Sequence, residues 1–154
     1  MKARMIVLSL ALCFIGSRVC FAQSPFMGTW KLNESKSKLA PGAAKNNSVV
    51  YEPAGDSVKV TIDGTDSADK PTHTEWTGKF DGKDYPVTGD PTSDSRSYER
   101  RTKHKLGFTA KKDGKPTLTG TIILSTDGKS RTVISSGTDA QGKKFKSEAL
   151  YDKQ

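Results

Sequence analysis

The chain of 154 residues carries 25 basic and 17 acidic side chains, a formal net charge of +8, and only a third of its residues are apolar. That length is one domain's worth, and the sequence lacks the broad apolar stripes that long helices need, which excludes a helical bundle. Both cysteines, Cys13 and Cys20, fall within the first 22 residues.

Those 22 residues read as a secretory signal. Lys2 and Arg4 form a positive start, residues 5–15 are an apolar run, and Cys20-Phe21-Ala22 offers small residues at the two positions a signal peptidase reads. The run is too short to cross a bilayer of roughly 30 Å as a helix, so an uncleaved anchor is disfavoured. Lipid attachment at Cys20 is disfavoured by Arg18 and Val19 in front of it, where a small residue is wanted. Cleavage is expected after Ala22, giving an exported protein, periplasmic or extracellular, with no membrane span. It removes Lys2, Arg4 and Arg18, which lowers the net charge from +8 to +5, and it removes both cysteines. Residues 23–154 must then hold together without disulfides, and they offer neither a thiol nucleophile nor a thiolate metal site.

Beyond the leader, short β-branched and aromatic runs alternate with polar residues between Gly, Asp and Asn. Strands are expected at 28–33, 48–53, 57–63, 72–80, 84–87, 95–102, 104–111, 117–125, 130–136 and 143–151. Asp63-Gly64, Asp81-Gly82, Asp113-Gly114 and Asp127-Gly128 supply the positive φ of tight hairpin turns, and Asp139-Ala140-Gln141-Gly142 reads as a longer turn of the same kind. Residues 34–46 are polar around Pro41-Gly42, either one helical turn at 35–39 or a surface loop over a barrel mouth. The run from Tyr85 to Pro91 reads as an ordered turn rather than a linker. An uninterrupted meander of about eight to ten strands points to an all-β, antiparallel up-and-down barrel, because closure removes the exposed edges. A two-sheet sandwich is the alternative.

Phe26-x-Gly28-Thr29-Trp30-Lys31-Leu32 resembles the opening of calycin barrels, the lipocalins and fatty-acid-binding proteins. The resemblance implies that Trp30 closes the narrow end of the barrel and that Gly28 gives room against a neighbouring strand. The segments from Phe80 to Pro91 and from Gly137 to Lys143 resemble a group of small secreted bacterial lipocalin-like proteins, mostly uncharacterised. The chain departs from both calycin families. Residues 34–46 have no room for the helical pair of fatty-acid-binding proteins, and no segment follows the last strand to make the lipocalin helix.

No catalytic constellation emerges. His73 and His104 stand on separate strands among polar neighbours, so they read as solvated strand histidines rather than a metal site with Glu75 or Asp84. The serines and threonines sit in no nucleophile elbow. Glu75, Glu99 and Glu148 are flanked by basic or polar residues, as expected for surface cross-strand ion pairs. Alternation places Arg96, Tyr98 and Arg100 on one strand face, where an Arg beside a Tyr offers a ligand carboxylate a charge-assisted bond. The competing reading has Tyr98 packed and both arginines in solvent. Basic clusters at residues 100–105, Lys111-Lys112 and Lys143-Lys144-x-Lys146 lie beside turns with little aromatic interleaving, so a solvated face is expected and nucleic acid is not.

The expectation is therefore a non-enzymatic, cofactor-free and metal-free barrel that binds an apolar or amphipathic small molecule as a carrier or sensor. Its site would lie among Trp76, Phe80, Arg96, Tyr98, Arg100, Leu106, Phe108, Leu118, Ile122 and Leu124, with Gly28 and Trp30 closing one end. The alternative is a ligand-free structural or interaction module of the cell envelope; neither reading names a protein partner.

Overall fold

The structure, a computed structural model, describes residues 24–138 and 142–154. The expected leader, and Asp139-Ala140-Gln141 of the last expected turn, lie outside the described residues. Ten strands follow in chain order: β1 Gly28–Leu32, β2 Lys45–Ala54, β3 Ser57–Thr65, β4 Pro71–Gly78, β5 Tyr85–Thr88, β6 Ser95–Thr102, β7 Lys105–Lys112, β8 Lys115–Leu124, β9 Ser130–Thr138 and β10 Lys144–Lys153. Each pairs antiparallel with its chain neighbours, and β1 pairs with β10, so the meander closes into one up-and-down barrel and not a sandwich. The seam is in register from Trp30 opposite Lys153 to Leu32 opposite Tyr151. Gln154 extends it by donating its backbone N–H to the Thr29 carbonyl at 3.0 Å.

Turn chemistry explains most of the boundaries. Between β7 and β8 only Asp113 and Gly114 remain, at φ 50° and 74°, the pair of left-handed conformations that a two-residue hairpin of matching twist requires. Asp63-Gly64 is a correction. Both residues lie inside β3, and the reversal comes at Asp66, whose N–H meets the Lys70 carbonyl at 2.9 Å. Gly64 serves close approach instead: it sits beside a register shift between Asn46 and Ser48, and a Cβ there would fall 1.9 Å from the Lys45 carbonyl oxygen. Residues 34–46 correct both expected forms, since Lys45 and Asn46 already belong to β2 and the rest is neither a helical turn at 35–39 nor a plain loop. A 3₁₀ turn at Glu34–Lys36 is followed by a bridge from Lys38 to Glu148, and Leu39 then packs onto the core.

Alternation fixes the inner wall. Register across the strands places Trp30, Tyr51, Val60, Trp76, Tyr98, Leu106, Ile122 and Tyr151 on one face, all buried. The two ends differ. Around Phe26, Trp30, Tyr51, Phe80 and Tyr98 large rings fill the section. Toward the β7–β8 and β9–β10 turns small inward positions, Ala110, Gly120, Ser135, Gly137, Ser147 and Ala149, are interspersed with Phe108, Leu118 and Phe145.

Candidate functional site

At the aromatic end the N-terminal segment forms a plug. Phe26 is fully buried, and the Trp30 indole donates to its carbonyl oxygen at 2.9 Å. Gly28, at φ 108°, leaves room for Lys153 of β10, whose Cε would lie 3.1 Å from an added Cβ.

Most of the expected site residues converge, but as packed core. Trp76 stacks on Phe80 with centroids 6.4 Å apart and meets Tyr98 edge-on at 4.8 Å. Tyr98 also contacts Tyr51 at 6.4 Å and Phe108 at 6.1 Å, and Leu106 and Ile122 are buried in the same cluster. Leu118 faces inward on β8 but lies outside that cluster, near the small-residue end. Two depressions of about 520 and 270 Å³ lie on the outer wall, sharing Arg101, Phe108 and Thr109.

The arginines correct the reading that sent both to solvent. Arg96 is 8% exposed and donates through Nη2 to Asp90 at 3.0 Å. Asp90 also accepts from the Ser93 hydroxyl and from both the N–H and hydroxyl of Thr92. Burial pushes the Asp90 carboxyl up, but these donors and Arg96 outweigh it and hold it below the ordinary range. Trp76 fixes the strand beneath by donating to the Arg96 carbonyl at 2.8 Å. Arg100 alone reaches the rim, where its guanidinium lies 5.6 Å from the Phe26 ring and 5.7 Å from Phe80 and donates to Ser24 Oγ at 2.7 Å.

Arg131 of β9 was not among the expected site residues, and it is the least ordinary group in the molecule. It is 2% exposed, with its guanidinium 4.9 Å from the Trp30 ring, 5.0 Å from Tyr51 and 4.8 Å from Tyr151. Among the described residues no carboxylate pairs with it, and its Nε and Nη1 have no hydrogen-bond partner. Arg96 Nε is likewise unpartnered. The tyrosines do not supply the missing negative charge. Burial, with Tyr98 adding to it, pushes the Tyr51 hydroxyl well above its usual value against the pull of Arg131. Burial raises Tyr151 to about 12, again opposed by Arg131. Tyr51 faces both Arg131 and Tyr98, and Tyr98 faces Arg96, so an Arg-Tyr-Tyr-Arg chain crosses the interior and ends at Asp90.

The histidines stay at the surface. His73 Nδ1 is 2.6 Å from Asp63, with Glu75 at 3.8 Å, and His104 belongs to the β6–β7 turn rather than a strand. No group of three metal-ligating side chains occurs among the described residues. Glu75 pairs with Lys59 across strands at 2.5 Å, as expected, and Glu99 lies 3.5 Å from Arg101 of its own strand. No helix among the described residues is long and apolar enough to cross a membrane.

Fold and site together define a closed, ten-stranded antiparallel up-and-down barrel that carries two buried arginines. No protein-family model matches the chain, and no curated protein matches it. Among solved structures, one described as EF1p2_mFAP2b bound to DFHBI is similar over 84% of this chain and 94% of that one, with a TM-score of 0.47 and 11% identity.

Proposed function

We propose that this protein is an exported lipocalin-like barrel that binds a small amphipathic molecule and catalyses no reaction. The observation that carries the reading is the half-finished interior at the small-residue end. There Phe108, Leu118 and Val133 point inward yet stay only partly buried, beside Ala110, Gly120, Ser135 and Ala149. A barrel of eight strands is about the width that side chains alone fill, and ten strands enclose a wider section. The aromatic plug closes the other end, so a ligand would enter at the small-residue end, beside Leu39 and Ala40, whose N–H donates to Ser147 Oγ at 3.0 Å.

Native mass spectrometry of the protein purified gently from its own host tests this. A stoichiometric adduct lost on denaturation is expected, and it gives the ligand's mass. A clean apo mass, with no uptake from a mixture of fatty acids and lipids, rejects the reading. A ligand-free envelope module is the second reading, favoured by the two depressions on the outer wall that share Arg101, Phe108 and Thr109. It gains if the apo mass is clean and a partner binds across Thr109 and Thr119.

A further inference from the structure

We infer that the outer wall of β6–β10 binds a linear anionic glycan, a uronate chain, along a row of hydroxyls beside Arg101. Strand register sets the row. Ser97 pairs with Thr109, Thr109 with Thr119, Thr119 with Ser136, and Ser136 with Lys146. Alternation turns these side chains outward, because their neighbours Tyr98, Phe108, Gly120 and Ser135 turn in. Thr119 Oγ1 and Ser136 Oγ lie 3.4 Å apart. At roughly 4.8 Å between strands the four hydroxyls span about 14 Å, room for a chain rather than a single sugar. The depressions of about 520 and 270 Å³ lie along this row.

A bulge and a glycine seat Arg101, which lines both depressions. The pairing of β6 with β7 shifts between Arg100 and Thr102, and a bulge of this kind re-aims a side chain. The Arg101 guanidinium folds down onto Gly107, where an added Cβ would lie 2.6 Å from Nε and 2.7 Å from Cζ and Nη2. Gly107 is therefore buried although its position faces outward. The acid nearest Arg101 is Glu99 at 3.5 Å, and both side chains stay more than half exposed. Lys146, at the end of the row, makes no ion pair among the described residues. Lys111 takes Asp84 at 2.6 Å, so that acid does not offset Arg101 and Lys146.

The chemistry of the row selects its occupant. A serine or threonine hydroxyl donates and accepts, as a sugar hydroxyl does, so the two sets are matched partners. A guanidinium held flat on a sheet presents its fork to a carboxylate, which is the charge a uronate carries. Among the described residues no aromatic ring projects from these outer positions to stack on nucleic-acid bases. The closed barrel leaves no edge for an added peptide strand, and Ile134 is one apolar anchor where a docked helix uses several. This wall is available whatever the interior holds.

Titration calorimetry of the protein with tetragalacturonate, its methyl ester and oligothymidylate tests the site. The acid is expected to bind at least about tenfold tighter than the ester, as a hydrogen bond between charged groups implies. Arg101→Gln should erase that margin. Gly107→Ala keeps the charge but lifts it off its seat, and should erase most of the margin. Thr119→Val should weaken acid and ester alike by about threefold. Arg101 and Thr119 are exposed, so their variants keep the test open should Gly107→Ala not fold by circular dichroism. Equal affinity for acid and ester overturns the anionic ligand. A margin that survives Arg101→Gln, or an affinity untouched by Thr119→Val, overturns the site. Oligothymidylate bound as tightly as the uronate overturns the glycan in favour of unselective attraction to polyanions. Binding of neither sugar overturns the glycan site outright and leaves the interior reading, which the native mass tests separately, where it stands.

Discussion

Arg96 and Arg131 lie three strands apart on the same inner wall, and their surroundings treat the same side chain differently. Around Arg96 the chain supplies everything: a carboxylate, a loop whose hydroxyls orient that carboxylate, and an indole gripping the strand beneath. Around Arg131 it supplies ring faces on three sides and no acceptor for two N–H donors. The first region is an internal latch that ties the β5–β6 loop to the barrel. The second is solvated by aromatics and electrostatically unfinished. Burial alone therefore does not tell how an enclosed cation is accommodated; the inventory of acceptors does.

Removing the acid of the first region should have the largest effect. Asp90→Ala leaves Arg96 buried without its carboxylate and is expected to cost about 3 kcal/mol or more in urea unfolding. Adding Arg96→Met should recover most of that loss, because the stranded charge goes with it. A double variant as unstable as the single one would break the comparison. Arg131→Met comes next, with an expected change within about 1 kcal/mol in the ligand-free protein: ring attraction of about 2 kcal/mol is lost, and a desolvation cost of similar size is relieved. A loss as large as that of Asp90→Ala would mean that Arg131 is already satisfied from within.

The smallest effect belongs to a cation outside both regions. The hydrogen bond to Asp63 raises the His73 pKa above 6.5, with burial opposing and the charges of Asp63 and Glu75 adding. A folded value above the unfolded one means that the protonated form is favoured in the barrel. This contribution is full below pH 6.5 and disappears as pH rises through the folded value. Proton NMR titration of His73 should show the raised midpoint, and Asp63→Asn should bring it down. An unchanged midpoint would place the interaction with Asp63 below detection.

Much of the barrel was legible because local chemistry and global form agree. Asp113-Gly114 is a hairpin turn in the sequence and in the structure, since nothing outside the turn competes with its left-handed pair. Asp63-Gly64 carries the same two letters and means something else. Its glycine is needed because the Lys45 carbonyl crowds it, and only the pairing of β2 with β3 reveals that. The Arg96-Tyr98-Arg100 face was readable from alternation. Which arginine would be buried was not, because Asp90 looks like any turn aspartate until the loop folds back. Arg131 gave less still: in Arg131-Thr132-Val133-Ile134 either alternating face is half apolar, so β9 taken alone does not say which one turns inward. Trp76, Tyr98, Leu106, Phe108, Leu118 and Ile122 lie on the inner wall, as alternation allows, but how the rings pack against one another was not readable from it.

Closing β1 against β10 makes time part of this fold. The first strand cannot cover one of its two edges until the last strand has been synthesised and has reached it, so the seam joins residues more than a hundred positions apart. Contacts of such separation form slowly, and an uncovered edge is a template for pairing with another copy. The interval before closure, rather than the finished barrel, is when this protein is most exposed to aggregation, and it is then that a chaperone would have most to protect.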